Sequence, residues 1–129
     1  MQADFRIIAD CSNNLIDLQI GGFYSQSDVM RFSAAYDDAL TRLDCGPNEH
    51  LTLVDMRGMQ IQPQTSVGAF RDILSDPHKR SRRLAFVVAT SLSRMQIKRA
   101  AEGRDARYFT EIEAARAWLL DEDESEVPS

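Results

Sequence analysis

Four residues near the middle of the chain, Asp55, Arg57, Thr65 and Ser66, have types and spacing that allow chemistry. Asp55 and Arg57 stand at the end of a predicted strand, where α/β sheets place ligand-binding residues. Thr65 is predicted to cap the next helix, where free N–H groups and the positive dipole end favour an anion or a phosphoryl group. Asp55 and Arg57 are therefore candidates for ligand binding, and Thr65 and Ser66 for phosphorylation or partner contact. The alternative is structural: Thr65 is only a cap and Asp55 only pairs with Arg57.

A second candidate anion site lies in the basic stretch from His78 to Arg107, which contains nine bases and two acids. Ser91 is predicted to cap a helix within this stretch, and Arg94 falls in its first turn. Together they could hold an anionic group at the helix start. The simpler interpretation is a solvated charged face that keeps the protein soluble.

Signatures of catalysis and of metal or cofactor binding are missing from the sequence. It contains no P-loop, no glycine-rich dinucleotide fingerprint, no GxSxG elbow and no HExxH motif. His50 and His78 fall at predicted element boundaries and are interpreted as surface residues, because zinc requires three or four ligands at characteristic spacing. Cys11 and Cys45 form no CxxC pair and are interpreted as reduced structural thiols. We therefore expect no metal and no cofactor, and the sequence favours a non-enzymatic protein.

The elements that would position these residues follow from the hydropathy pattern. Alternating runs over residues 5–9 and 15–20 flank a turn-forming segment and predict a β-hairpin. Ser25 and Asp28 have the spacing of a capping box, and apolar residues then recur at helical steps up to Leu43. The remaining strands are predicted at 51–56, 84–89 and 107–109. Helices are predicted from Ser66 to about Ser75, from Ser91 to Gly103, and from Thr110 onward.

This order, β-β-α-β-α-β-α-β-α, predicts an α/β fold with a mixed sheet, mostly parallel with an antiparallel opening hairpin. A chain of 129 residues has the usual size of one domain. We expect that domain to span residues 1–120, followed by a disordered acidic tail, 121–129. The longest apolar run, 84–89, is too short to span a membrane, and no leader is evident at the N-terminus. These features predict a cytoplasmic protein.

The charge distribution indicates which classes of partner the protein can bind. The net charge is −5 and the sequence pI is about 4.9, which argues against nucleic-acid binding. Five acids lie in the tail, and the rest of the chain is neutral overall. A protein partner or a small anionic or apolar ligand therefore fits better. A homodimer is left open, because no sequence feature determines it.

Three segments resemble a known family. The strand Leu51-Thr-Leu-Val-Asp-Met-Arg57, the strand Arg82-Arg-Leu-Ala-Phe-Val-Val88 and the segment Ala106-Arg-Tyr-Phe-Thr-Glu-Ile-Glu-Ala-Ala-Arg-Ala-Trp-Leu119 are similar to those of bacterial SpoIIAA-like proteins of the STAS superfamily, whose fold is related to Sec14-type lipid carriers. The resemblance implies a sheet flanked by helices and, in anti-sigma-factor antagonists, a phosphorylated serine at the position of Thr65, with Ser66 adjacent. This chain reads Pro63-Gln-Thr-Ser-Val67 there and lacks the Asp-Ser-Ser-Gly-like pattern of the antagonists.

Two functions are consistent with these observations. The first is a non-enzymatic regulatory or ligand-binding domain that acts through contacts around the loop after the third strand, residues 58–66. The second is a carrier or enzyme for a small anionic or lipid-like ligand, held at helix N-termini near the basic face.

Overall fold

The computed structural model describes residues 4–43, 50–59, 62, 64–75, 81–101 and 106–120. It contains five strands and four helices in the predicted order. The strands are β1 (Asp4–Asp10), β2 (Leu15–Gly22), β3 (Leu51–Met59), β4 (Arg83–Val87) and β5 (Ala106–Phe109). The helices are α1 (Gln26–Thr41), α2 (Gln64–Ser75), α3 (Ser91–Ala100) and α4 (Ile112–Leu120).

The opening hairpin is confirmed. β1 and β2 pair antiparallel from Asp4 opposite Gly21 to Asp10 opposite Leu15. Asn14 closes the turn with a φ of 51°, in the left-handed region that asparagine tolerates better than most residues. The hairpin therefore places Asp4 beside the carboxyl end of β2.

The five strands form one sheet in the order β1-β2-β3-β4-β5, and every pair after the hairpin is parallel. Because right-handed crossovers that advance in one direction stay on one side, α1, α2 and α3 cover the same face of the sheet. The returning helix α4 covers the other face, over β3, β4 and β5. The predicted mixed α/β fold is confirmed. The order of the described parallel strands does not reverse, so these strands form no topological switch point of the kind that binds ligands in open α/β sheets.

The two sides of the sheet bury separate apolar clusters. The larger lies under α1, α2 and α3 and includes Leu18, Phe32, Val54 and Phe86. The smaller lies under α4 and includes Leu15, Leu53, Val87 and Leu119. Alternation along each strand divides its side chains between the two clusters. Since α4 covers only part of its face, the polar side chains of β1 and β2 on that side remain accessible, as Arg6 and Gln19 are.

Several boundaries differ from the predicted ones. β3 continues past Met56 to Met59, because a register shift lets two residues of β3 oppose Ile20 of β2 and pairing then resumes at Gly21 and Gly58. α1 has the predicted capping box of Ser25 and Asp28 but ends at Thr41. Gly103, the predicted end of the helix that begins near Ser91, lies outside the described part of the chain.

Candidate functional site

Gln62, which lies between β3 and α2, is hydrogen-bonded to the end of β2 and to Tyr24. Its side-chain Nε2 donates to the Gly22 carbonyl at 3.0 Å, and its Oε1 accepts from the Tyr24 N–H at 2.8 Å. The amide thus satisfies backbone groups much as a neighbouring strand would. The side chain of Gln96 in α3 forms the same kind of hydrogen bonds with the Gln62 backbone. Its Oε1 accepts from the Gln62 N–H at 2.9 Å, and its Nε2 donates to the Gln62 carbonyl at 2.8 Å. We call this arrangement the glutamine clasp.

The candidate modification residues lie at the start of α2, three and four positions after Gln62. α2 begins at Gln64, so Thr65 is its second residue rather than the cap that the sequence predicted. Ser66 is fully buried, and its hydroxyl donates to the Tyr24 carbonyl at 2.5 Å. A kinase or a partner would reach Ser66 only after α2 moved away from the chain at Tyr24.

Asp55 and Arg57 form an ion pair, which is the structural alternative that the sequence allowed for these two residues. The Arg57 Nε and Nη2 donate to the two Asp55 carboxylate oxygens, each at 2.9 Å, and the Arg57 N–H donates to Oδ1 at 3.2 Å. These hydrogen bonds lower the pKa of Asp55, although burial opposes them. The pair borders an open concavity of about 1100 Å³ at the carboxyl end of β2 and β3, shared with Asp4, Arg6 and Gln19. Its charges are mixed, and Arg57 already neutralises Asp55.

The predicted cap of α3 is wrong by one residue. Thr90 is the N-cap, because its backbone is extended and its Oγ1 accepts from the Ser93 N–H at 3.0 Å. Ser91 is the first residue of the helix and is exposed. The Arg94 guanidinium lies over the Tyr108 ring, 5.8 Å from its centroid. Arg94 is therefore directed to the β5 edge.

A groove between α2 and α3 lies beside the clasp. It measures about 330 Å³ and is lined by Val67, Gly68, Arg71, Leu92, Met95, Gln96 and Arg99. Leu92 and Met95 are large apolar side chains that remain 61% and 59% exposed. Gly68 adds no side chain to the α2 wall, and a Cβ built there would touch nothing within 4 Å. We call this surface the α2–α3 groove. It combines exposed apolar area with two guanidinium groups, as protein-binding surfaces commonly do.

A buried polar cluster lies at the opposite end of β3. The Tyr36 hydroxyl lies 3.2 Å from His50 Nε2 and 3.2 Å from Thr52 Oγ1, and the Ser81 hydroxyl lies 2.6 Å from Thr52 Oγ1 and 3.2 Å from His50 Nε2. The sequence predicted His50 at the surface, but it is only 2% exposed. The imidazole can be buried because the Tyr36 and Ser81 hydroxyl groups give its Nε2 hydrogen-bonding partners, and Thr52 Oγ1 joins those two hydroxyl groups. His78 lies outside the described residues.

The core cavity beside this cluster is small. It measures about 50 Å³ and is walled mainly by apolar side chains of the sheet and of α1, α2 and α3. A cavity that accepts benzene measures roughly 150 Å³. No group of three metal-ligating side chains occurs in the described ranges, and no helix there is long and apolar enough to cross a membrane.

Comparison with known proteins decides the family. A model of the SpoIIAA-like family matches residues 15–120. The chain belongs to the SpoIIAA-like family. No curated protein matches it.

Two solved structures share the fold of this SpoIIAA-like domain. One is an uncharacterized protein of the DUF3478 family from Shewanella loihica, with a TM-score of 0.63 and 16% identity, over 92% of this chain and 96% of that chain. The other is an anti-sigma factor antagonist from Mycobacterium paratuberculosis, with a TM-score of 0.61 and 7% identity, over 92% of this chain and 96% of that chain. At these identities the likeness concerns the fold.

The candidate ligand-binding and modification residues predicted from the sequence do not lie together in the SpoIIAA-like domain. Asp55 lies on the face covered by α4, since it alternates with the buried Thr52 and Val54 of the other face, whereas Ser66 and Arg94 belong to helices on that other face. Sequence reasoning missed the two glutamines and the α2–α3 groove. The only local signal for the groove is the exposed apolar pair Leu92 and Met95 in a helix with a weak apolar stripe.

Proposed function

We propose that this SpoIIAA-like domain is a non-enzymatic regulatory protein that binds a partner protein in the α2–α3 groove. The observation that carries the proposal is the exposure of Leu92 and Met95, at 61% and 59%, in a groove that Arg71 and Arg99 also line. Such residues rarely stay exposed side by side in a groove without a binding role. The shared fold with an anti-sigma factor antagonist supports a regulatory protein partner.

The groove favours one kind of occupant. An amphipathic helix could lay apolar side chains on Leu92 and Met95 while its carboxylates meet the two guanidinium groups of the groove. Arg71 donates to the Arg99 carbonyl at 2.9 Å, so its guanidinium is held across the groove against α3. We therefore propose a helical partner segment with an apolar stripe and acidic flanks.

Thr65 is the proposed point of regulation. As the second residue of α2, it lies in the turn that precedes Val67 and Gly68 of the groove. A phosphoryl group there would stand at the positive end of the helix and change the charge next to the basic groove. Ser66 is proposed only as a partner-contact residue exposed after local opening, because its hydroxyl is buried.

The alternative of a lipid-like ligand finds less support, because the core cavity of about 50 Å³ is far below the volume of a lipid chain.

The proposal includes a cytoplasmic location, which suits the free, exposed Cys11.

The test places a photocrosslinking amino acid at Met95 and, as a matched control, at Met30 of α1, which is 72% exposed. We expect one partner to be crosslinked from position 95 and not from position 30. The purified partner should then bind wild type, and Leu92→Asn with Met95→Gln should weaken binding at least tenfold, because two apolar anchors are lost. Met30→Gln should leave binding unchanged.

Two further variants test regulation. Thr65→Asp should weaken binding of that partner, because it adds a negative charge next to the groove that receives the acidic flanks, whereas Thr65→Val should leave binding unchanged. Equal affinity of wild type and the Leu92, Met95 double variant for the crosslinked partner would overturn the proposed groove.

A further inference from the structure

β5 is the last strand of the sheet, and one side of its backbone faces outward. It pairs with β4 alone among the described strands. The Val88 N–H donates to the Phe109 carbonyl at 2.8 Å, so Phe109 turns its polar backbone groups toward β4. Because these directions alternate along a parallel strand, Arg107 also bonds toward β4 and Tyr108 presents its N–H and carbonyl outward. An open strand edge of this kind can accept another strand.

Cations surround this edge on both faces of the sheet. On the face of α3, the Arg94 guanidinium and the Lys98 ammonium lie 5.8 Å and 5.6 Å from the centroid of the Tyr108 ring. On the face of α4, the Arg107 guanidinium lies 5.1 Å from the centroid of the Trp118 ring. None of these three cations forms an ion pair with a residue that the structure describes.

The aromatic rings hold the cations in place. Tyr108 stacks on Phe86 with centroids 5.6 Å apart, and Trp118 packs on Phe109 at 6.0 Å. Cation–π contact restricts side chains that would otherwise move freely in water. Because these side chains are already restricted, ordering them on ligand binding has a smaller entropic cost.

We propose that the β5 edge binds an extended acidic segment of a partner protein as a sixth strand. Successive side chains of an added strand point to opposite faces of the sheet. Since cations stand on both faces, the best occupant carries consecutive acids rather than acids at every second position. The outward backbone groups of Tyr108 select a peptide over other polyanions, and the net charge of −5 disfavours nucleic acid. This surface is separate from the α2–α3 groove, so the two proposals can fail independently.

The probe is a fluorescent peptide with the run Asp-Glu-Asp-Glu between Val-Thr pairs, measured by anisotropy against the full chain. The chain's own tail has acids at 121–124, so a second form of the protein carries Asn or Gln at those positions to remove competition. We expect binding to at least one form, weakened about three- to fivefold by Arg107→Gln and more by Arg94→Gln with Lys98→Gln. Arg42→Gln, at the C-cap of α1, is the charge-matched control for Arg107→Gln. The double variant Arg31→Gln with Arg42→Gln is the control for Arg94→Gln with Lys98→Gln. Neither control should weaken binding.

Strand addition has its own readout. Methylation of the peptide nitrogen that faces the Tyr108 carbonyl should abolish binding, and the Tyr108 amide should gain protection from hydrogen exchange when the unmethylated peptide binds. Absence of binding to both forms of the protein would overturn the proposal. Binding that survives N-methylation without Tyr108 protection, or tighter binding of single-stranded DNA of equal charge, would also overturn it.

Discussion

The side chain of Gln96 and the backbone of Gln62 form two reciprocal hydrogen bonds, at 2.9 Å and 2.8 Å. Together with the Gln62 side chain, which bonds to Gly22 and Tyr24, they connect α3 to the end of β2 through one residue. Gln62 is 7% exposed, so its partners have little access to water. The clasp therefore ties α3, one wall of the α2–α3 groove, to the end of β2.

Replacing Gln62 by Glu tests the clasp. At pH 7.5 the carboxylate cannot donate to the Gly22 carbonyl, and we expect a loss of about 1–3 kcal/mol in the free energy of unfolding. Burial raises the pKa of a carboxyl group, so the penalty should be smallest at low pH, where the protonated group donates again, and should grow as pH rises through the folded-state pKa. Urea unfolding at pH 4.5 and 7.5 measures this difference from wild type. The exposed Gln26→Glu in α1 is the control, and an equal effect of the two variants would contradict the role of the clasp.

Gly68→Ala separates stability from binding. Gly68 lies inside α2, and a Cβ there meets no atom within 4 Å. Alanine should raise the free energy of unfolding by about 0.5–1 kcal/mol, because glycine loses more backbone entropy in a helix. The added methyl group lies in the proposed groove, so partner binding should weaken although the domain is more stable. Thermal unfolding and the affinity of the crosslinked partner are the two measurements. A more stable variant with unchanged affinity would exclude Gly68 from the interface.

Arg57 controls the ionisation of Asp55. Its bidentate hydrogen bonds hold the pKa of Asp55 below the usual value, so the pair adds stability above the normal Asp range, near pH 4, that is lost as pH falls through the lowered pKa. Arg57→Gln should raise the pKa of Asp55, and Arg57→Lys should raise it less because the charge is kept but the fork is lost. A carbon-13 NMR titration of the Asp55 carboxyl group gives both values. An unchanged Asp55 titration in Arg57→Gln would contradict this assignment.

The Tyr36 hydroxyl joins His50 to Thr52 inside the protein. Tyr36→Phe should lower the free energy of unfolding by about 1–3 kcal/mol, because buried partners lose a hydrogen bond. Tyr108→Phe is the matched control, since the Tyr108 hydroxyl forms no hydrogen bond to a described residue. Urea unfolding compares the two variants. Equal losses would mean that the buried cluster contributes nothing specific.

The sequence by itself determined the order of the strands and helices. This order depends on local patterns: alternation in the hairpin, the capping box of Ser25 and Asp28, and the apolar run of β4. The rule that crossovers between parallel strands are right-handed then predicted a mostly parallel sheet. The resemblance in three segments predicted the SpoIIAA-like family, which the comparison shows. Local patterns also placed Asp55 and Arg57 close together, since they are two residues apart on one strand.

Tertiary structure alone decided which of these residues meet residues distant in sequence. Gln62 and Gln96 are 34 positions apart, and nothing in either neighbourhood marks them as partners. His50 stands at an element boundary, which suggested a surface position, yet the hydroxyl groups of Tyr36 in α1 and of Ser81, just before β4, lie within hydrogen-bonding distance of its imidazole. Burial and hydrogen bonding of this kind depend on the packing of several elements at once, and periodicity along one element carries no information about it. For the same reason, the α2–α3 groove and the cationic edge of β5 became visible only once the helices were placed on the sheet.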